Sequence, residues 1–222
     1  MKRVAVVVVA TTAAIGFALR HDLAGSKTMY LVIAAVYAVL AGWALYEMWD
    51  DGTLLDRLSP RWGDLSLGVV VAGVLFAGSW VGRSLIAASG TPGQAWLFHI
   101  YLQLGNPANI ERSLVITVLL LLVPLLEEIV WRGMVLSHLT QKFGQRRAWP
   151  LAALLYAVSV SPTIFTLADP VAGKNPLLFV AALGCGIFWS FLASVTNRLP
   201  PVIISHIAFT YFSVTQFRAP GL

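Results

Sequence analysis

Apolar segments long enough to cross a membrane recur along the whole chain of 222 residues. A helix that crosses the hydrocarbon core of a bilayer needs about 20 mostly apolar residues. Segments of roughly this kind lie at 4–19, 29–48, 66–88, 113–139, 149–168, 176–195 and 200–217. Because backbone groups inside lipid must satisfy one another, such segments are expected to be helical. The sequence therefore predicts an all-α fold, a polytopic transmembrane helix bundle of seven or eight spans.

The eighth span depends on residues 95–104, which are apolar and aromatic but too short to cross alone. They form either an interfacial helix or part of a further span. Of all residues, 58% are hydrophobic and 11% are charged, whereas soluble domains carry about a quarter charged residues. We therefore expect one integral membrane domain over residues 1–222, with no soluble module.

The net charge of +5 comes from basic residues that lie mainly in short loops between the apolar segments. This pattern sets orientation in the lipid bilayer and argues against binding of nucleic acid. The basic cluster at residues 142–147 is the clearest cytoplasmic marker, and it places the N-terminus in the cytoplasm. The exit of the first segment at Arg20 lacks a small-residue cleavage pattern, so we interpret that segment as a retained span. The expected location is the inner (plasma) membrane of a bacterium, with several passes.

A charged cluster interrupts the fourth long apolar segment. Glu127, Glu128 and Arg132 follow a nearly pure aliphatic run, although an ionised side chain near the bilayer centre costs at least about 2.5–3.5 kcal/mol. Glu128 and Arg132 are four residues apart and can form a salt bridge on one helix face. Glu127 is rotated by about 100° from Glu128, so that pairing does not explain it. A carboxyl group in this setting can exchange a proton and act as a general base that activates water.

Two motifs in this chain resemble those of the CPBP family of intramembrane glutamic endopeptidases. This family includes the CAAX prenyl proteases of the Rce type and bacteriocin-processing and immunity proteins (ABI-like). Its Glu-Glu-x-x-x-Arg motif matches Glu127, Glu128 and Arg132. Its late His-x-x-x-Asn motif matches His206, with Thr210 in the place of Asn. The family-like core covers residues 113–217.

A third family motif is present only in part. The family has an aromatic residue followed four positions later by His; here Tyr156 supplies the aromatic residue, and Val160 stands in the place of His. Ser159 and Ser161 flank Val160, and either hydroxyl, or that of Tyr156, is a candidate for the missing hydrogen-bonding role. A lost donor of this type costs roughly 2.7–4 kcal/mol in the transition state, which slows an enzyme without abolishing it.

The resemblance implies an endopeptidase that processes the C-terminal region or leader of a membrane-associated protein or peptide. In that reading Glu127 activates the water, Glu128 assists or orients it, and Arg132 holds the charge of Glu128. His206 would position the water or stabilise the oxyanion, and Thr210 would donate a hydrogen bond. The scheme requires no cofactor and no metal. The chain also has no His-Glu-x-x-His sequence, the pattern of a zinc protease.

Two other functions stay open. The replacement of His by Val160 is compatible with a non-catalytic membrane protein of the same fold, such as an immunity or partner-binding protein. A proton-coupled transporter would use the Glu pair as an ion site, but the chain shows no internal repeat, which argues against it. The sequence does not identify the substrate, the cleaved bond or the oligomeric state.

Overall fold

The structure, a computed structural model, describes residues 1–216, so residue 217 at the end of the predicted last span lies outside it. A 3-10 turn, His21–Leu23, follows the first helix, and a π-helical segment, Ile129–Val135, joins α7 to α8. In chain order the helices are α1 (Lys2–Ala18), α2 (Lys27–Asp50), α3 (Leu54–Leu58), α4 (Asp64–Ile86), α5 (Pro92–Leu104), α6 (Pro107–Arg112), α7 (Leu114–Glu128), α8 (Leu136–Phe143), α9 (Gln145–Val160), α10 (Thr163–Thr166), α11 (Leu177–Thr196) and α12 (Pro200–Thr215). The prediction of an all-α fold is confirmed for the part of the chain that is described.

Five helices are long and apolar enough to cross a membrane, which makes the protein a multi-pass integral membrane protein. They cover Lys27–Asp50, Asp64–Ile86, Leu114–Phe143, Gln145–Thr166 and Leu177–Thr196. The predicted count of seven or eight spans is not shown. Two predicted spans, α1 and α12, have 17 and 16 residues, or about 25 Å at 1.5 Å per residue, against a hydrocarbon core of about 30 Å. With 13 residues, α5 is also too short to cross.

Local sequence signals explain several helix ends. Ser26 and Ser113 each accept a hydrogen bond from the backbone N–H three residues later, and so cap the starts of α2 and α7. Gly144 separates α8 from α9 at a φ of 76°, a left-handed conformation that glycine adopts without steric cost. Asn197 ends α11 in the left-handed α region, at a φ of 55° and a ψ of 26°, which Asn tolerates better than most residues.

The helices pack around two apolar clusters. The larger cluster surrounds the π-helical segment and includes Trp131, Tyr37 and Val202. The smaller cluster lies near the C-terminal end of α1 and the N-terminal ends of α2 and α7, around Ile15, Met29 and others. In the bundle α9 packs mainly on α11, while α12 packs on α4 and α7. The charged cluster therefore lies within the interior of the bundle.

A close approach between α4 and α12 depends on Gly68. A Cβ atom at this position would lie 2.8 Å from Cβ of Ile204 and 2.9 Å from the carbonyl oxygen of Pro201. Both distances are shorter than ordinary van der Waals contact, so only glycine allows the two helices to pack this closely. Because α12 also carries His206, this contact helps to fix the position of that side chain.

Candidate active site

The two adjacent glutamates have different environments. The side chain of Glu128 is fully buried, whereas that of Glu127 is 12% exposed. Oε1 of Glu128 accepts a hydrogen bond of 2.9 Å from Nη1 of Arg132. The salt bridge predicted from the four-residue spacing is therefore formed. Of the two carboxylates, Glu127 is the one that is partly exposed.

The helix that carries these residues changes its geometry at the site. Ile129–Val135 forms a π-helical segment whose seven residues are all buried. Single π turns within α-helices are found frequently at functional sites. Arg57, from α3, donates a hydrogen bond of 3.0 Å to the carbonyl oxygen of Gly133 and so satisfies a carbonyl in this segment. Pro124, one turn before the glutamates, lies inside α7 and lacks a backbone N–H.

His206 joins the two carboxylates from the opposite side. Its Nδ1 lies 2.6 Å from Oε1 of Glu128, and its Nε2 lies 3.5 Å from Oε2 of Glu127. The ring is stacked on Trp189, with centroids 3.7 Å apart and an angle of 27° between the planes. Trp189 is itself held by a hydrogen bond from its Nε1 to Oγ of Ser205. The imidazole orientation is therefore fixed by stacking and by a carboxylate together.

Two tyrosines approach Glu127. The hydroxyl of Tyr156 donates a hydrogen bond of 3.3 Å to its Oε2. The hydroxyl of Tyr37 also lies near Glu127, and it accepts a bond of 3.2 Å from Nε1 of Trp131. Both tyrosines are buried. The exposed carboxylate thus has neutral donors on one side and an imidazole on the other.

The guanidinium group of Arg132 is enclosed by aromatic rings. Its Cζ lies 4.8 Å from the ring centre of Tyr156 and 5.5 Å from that of Trp189. Its Nη2 donates to the carbonyl oxygen of Gly186 at 3.3 Å. Aromatic faces attract a cation, and the effect is larger when water is excluded. Arg132 is therefore a buried counter-charge for Glu128 and also a packing centre for three helices.

The predicted site residues are only partly brought together. Glu127, Glu128, Arg132, His206 and Tyr156 form one connected cluster.

The other predicted residues do not join this cluster. Ser159 uses its hydroxyl proton on the carbonyl oxygen of Tyr156, at 2.7 Å. Within residues 1–216, neither Thr210 nor Ser161 makes a side-chain hydrogen bond to the cluster. Val160 packs against the smaller apolar cluster. Val160 replaces the family His, whose hydrogen-bonding role Tyr156, Ser159 or Ser161 could take over. Of these three, Tyr156 is the residue whose hydroxyl contacts Glu127, the candidate catalytic carboxylate.

Three contributors were missed from the sequence: Tyr37, Trp189 and the carbonyl group of Gly186. Tyr37 carried a usable signal, because it lies in the middle of a predicted span, where a buried hydroxyl needs a partner. Trp189 lies in an apolar stretch and carried no signal that separates it from a core residue. The carbonyl of Gly186 is backbone and cannot be predicted from residue type.

His138, on α8, lies outside the cluster. Its Nε2 is 2.9 Å from Oε2 of Glu47, whose other oxygen pairs with Arg3 at 2.8 Å. This contact joins the end of α2 and the start of α1 to α8. Within residues 1–216, no group of three or more His, Cys, Asp or Glu side chains is arranged to hold a metal ion.

The cluster has the parts required for general base chemistry. A carboxylate that accepts from Nδ1–H of His206 leaves Nε2 directed at Glu127, as in carboxylate–histidine pairs of hydrolases. With the imidazole protonated, the two carboxylates are balanced by one guanidinium and one imidazolium. Glu127, the partly exposed carboxylate of the pair, is therefore the candidate for activating a water molecule.

Comparison with known proteins gives one family. Residues 109–212 match the model of the type II CAAX prenyl endopeptidase Rce1-like family. No curated protein and no solved structure shows a significant match. The matched range contains all five residues of the connected cluster. The chain thus carries an Rce1-like domain of the CPBP membrane protease family over residues 109–212.

Proposed function

We propose that this protein is an intramembrane glutamic-type endopeptidase that cleaves near the C-terminus, or in the leader, of a membrane-associated protein or peptide. The observation that carries the proposal is the asymmetry of the Glu pair. Glu128 is fully buried and is shared by Arg132 and His206, whereas the side chain of Glu127 is partly exposed and has Tyr156 and His206 beside it. A general base must be reachable by water and held in place.

In the proposed reaction Glu127 takes a proton from water while the water oxygen attacks the peptide carbonyl carbon. The resulting tetrahedral species carries a negative charge on the former carbonyl oxygen, and preorganised donors lower its energy. Tyr156 and His206 are the neighbouring groups that can donate. Glu127 then gives its proton to the leaving amine as the C–N bond breaks. Glu128 orients His206, and Arg132 neutralises Glu128.

The test is Glu127→Gln in the native host, read as the mass of candidate substrates in the membrane fraction. We expect the processed form to disappear, because an amide cannot accept the proton from water. Glu47→Gln is the matched control, since Glu47 is also a partly buried glutamate in ion pairs but is remote from the cluster. Processing that continues in the Glu127→Gln variant would contradict the proposal.

Tyr156→Phe provides a graded second variant. A hydrogen bond to a charged group contributes about 1.5–3 kcal/mol, so we expect processing to slow by about 10- to 100-fold. Tyr46→Phe is the matched control, because Tyr46 is 60% exposed and its ring lies at a tilted angle beside that of Trp49, away from the cluster. An unchanged rate in the Tyr156→Phe variant would remove Tyr156 from the mechanism.

The substitution of Val160 for the family histidine favours a second candidate, a member of the family that binds its partner without cleaving it. Val160 packs against apolar neighbours and offers no donor. In a non-catalytic protein Glu127→Gln should leave the cellular phenotype unchanged, because no proton is transferred. The same variant therefore separates the two candidates.

We also propose that α1 and α12 lie within the membrane with the five longer helices, giving a seven-helix bundle. Several apolar side chains on α1, among them Val6 and Val9, are more than half exposed, which suits contact with lipid. The basic cluster at residues 142–147 supports a cytoplasmic position for that end of the bundle. Reporter fusions at the N-terminus and at Gly25, which flank α1, should then report opposite sides.

A further inference from the structure

Tyr37 lies near the middle of α2, a helix outside the range that matches the family model. That match covers residues 109–212, so it includes Glu127 and Tyr156 but no residue of α2. The Tyr37 side chain is completely buried in the larger apolar cluster, and α2 packs on α7 and on the π-helical segment. A hydroxyl group buried among apolar side chains is costly unless it is hydrogen-bonded. The partners of this hydroxyl therefore indicate its role.

The oxygen of Tyr37 accepts a hydrogen bond, which leaves the hydroxyl proton for another group. Nε1 of Trp131 donates to this oxygen at 3.2 Å, and an indole N–H can only donate. Trp131 follows Glu127 by four residues, or about 6 Å along the helix. Two charged side chains act on the Tyr37 hydroxyl, Glu127 and Arg132. A guanidinium group has no acceptor atom, so Glu127 is the one that can accept the proton.

The carboxylate of Glu127 depends on its neighbours for its orientation. Rotation about the last bond of a glutamate side chain is only weakly restricted, so the surrounding donors decide where the two oxygens point. Tyr156, on α9, donates to Oε2 at 3.3 Å, and Nε2 of His206, on α12, lies 3.5 Å from the same oxygen. Tyr37 approaches the same carboxylate from α2, a third helix. Donors on separate helices restrict this rotation more than a single donor does.

The indole of Trp131 contacts both tyrosines. Its ring lies edge-on to that of Tyr156, with centroids 5.4 Å apart and an angle of 74° between the planes, and its Nε1 binds Tyr37. All three side chains are buried. Trp131 belongs to the π-helical segment, Ile129–Val135. This segment therefore supplies the group that holds both tyrosines beside the glutamate that precedes it.

We propose that Tyr37 is a positioning residue of the active site, which donates its hydroxyl proton to the carboxylate of Glu127 and so fixes the direction of that carboxylate. This inference rests on the proposed endopeptidase function and adds a residue that acts through the general base. The site is then built by α2 together with α7, α9 and α12. The range matched by the family model does not contain the whole of it, because Tyr37 lies 72 residues before residue 109.

The first experiment detects the hydrogen bond and needs no substrate. The infrared spectrum of the purified full-length protein in detergent is compared with that of Glu127→Gln, and the difference identifies the carboxyl bands of Glu127. Tyr37→Phe should shift these bands, because it removes a donor from the carboxyl group. In the Glu127→Gln background the same change should leave this region of the spectrum unaltered. Tyr30→Phe is the matched control, since Tyr30 is also a buried tyrosine of α2 but donates to the carbonyl oxygen of Leu104 at 2.8 Å.

A second variant avoids dependence on the folding of Tyr37→Phe. Replacement of Tyr37 by 3-fluorotyrosine keeps the hydroxyl and nearly the same size, and the fluorine makes the hydroxyl a stronger donor. The Glu127 bands should then shift in the direction opposite to that caused by Tyr37→Phe. A side chain that only fills space in the apolar cluster would give no such reversal.

The second experiment follows processing in the native host, read as the mass of candidate substrates in the membrane fraction over time. Tyr37→Phe should slow the appearance of the processed form by about 10- to 100-fold, as expected when a catalytic group is slightly misplaced. Tyr30→Phe should process at the wild-type rate. Thermal midpoints of both variants in detergent show whether each is folded.

Two results would overturn the inference. One is the absence of a band shift in both Tyr37 variants, which would mean that no hydrogen bond joins Tyr37 to Glu127. The other is wild-type processing in Tyr37→Phe while Glu127→Gln abolishes processing. That second result would remove Tyr37 from the machinery and leave the endopeptidase proposal standing, so the two failures are distinguishable.

Discussion

The oxygen Oε1 of Glu128 is the most heavily used atom of the site, since Arg132 and His206 both contact it within 3 Å. All three side chains are at most 5% exposed. Moving ions out of water is costly, and their mutual attraction offsets the cost only while the set is complete. Removal of one partner is therefore more damaging than removal of a complete pair.

Arg132→Met should destabilise the protein strongly, by about 3–5 kcal/mol, because it leaves a buried carboxylate without its main counter-charge. The double variant Glu128→Gln/Arg132→Met should recover most of that loss, since no unpaired charge remains. Denaturation midpoints in detergent for the wild type, both single variants and the double variant form the cycle. If the double variant is less stable than Arg132→Met alone, the pair does not act as a charge unit.

At the residue scale the sequence predicted the charged members of the site and Tyr156, and it missed Tyr37 and Trp189. Glu127, Glu128 and Arg132 are conspicuous because a charged side chain inside an apolar helix is costly unless it is paired or functional. Trp189 is not conspicuous in the sequence, because an aromatic residue in an apolar helix is equally compatible with lipid contact and with stacking on an imidazole. The contact between Tyr156 and Glu127 depends on how α9 packs against α8 and the π-helical segment, which follow Glu127 in the chain, and no local pattern encodes it.

A few close contacts between neighbouring helices fix the position of this site. The approach of α4 to α12 at Gly68 leaves no room for a side chain, and α12 presents His206 one turn beyond Val202, a fully buried residue. Helices pack closest where small residues face a neighbour. The position of His206 therefore depends on a residue of α4 that does not touch the site.

Gly68→Ala should lower the unfolding midpoint, with a loss of about 1–3 kcal/mol from overpacking, and should reduce processing because α12 is displaced. Gly73→Ala on the same helix is the control. A Cβ there meets nothing within 4 Å, so the change should be neutral or should stabilise the helix by about 0.5–1 kcal/mol. Equal effects of the two substitutions would show that the α4–α12 contact is not tight.

At the element scale the sequence predicted which segments are helical better than where they end. The predicted fifth span, 149–168, begins earlier, at Gln145, and is interrupted at Ser161 and Pro162 before α10. Pro162 lacks a backbone N–H donor and so interrupts the helix, but the hydropathy of the segment does not reveal this break. The π-helical segment was not predicted, because its composition is that of an ordinary apolar helix.

Ion pairs join neighbouring helices and loops at both ends of the bundle. Arg3, Glu47 and His138 join three helices at one end. At the other, Nε2 of His99 on α5 lies 2.9 Å from Oδ2 of Asp169 in the loop before α11. Backbone N–H groups of Ala172 and Val171 donate to Oδ1 of Asp169. These bonds, with the neighbouring His99, hold the pKa of Asp169 below its ordinary value.

A carboxyl group whose pKa is lower in the folded state stabilises the fold above its unfolded pKa, which is about 3.9 for Asp. The contribution is lost as the pH falls through the folded pKa. Asp169→Asn should therefore have a lower thermal midpoint than the wild type at pH 7, and the difference should shrink as the pH falls below about 4. Asp22→Asn is the control, since its pair with Arg20 is more than half exposed and contributes little. A midpoint for Asp169→Asn equal to the wild type at pH 7 would contradict this prediction.

The π-helical segment also limits which insertions and deletions this chain can tolerate. Each residue gained or lost in a helix turns everything beyond it by about 100°. Deletion of one residue between 129 and 135 would swing Ser137 and His138 away from Arg57 and Glu47, their present partners. The composition and hydropathy of the helix would barely change. Along this stretch, therefore, insertions and deletions should be rarer among functional descendants than along the neighbouring lipid-facing turns of the same helix.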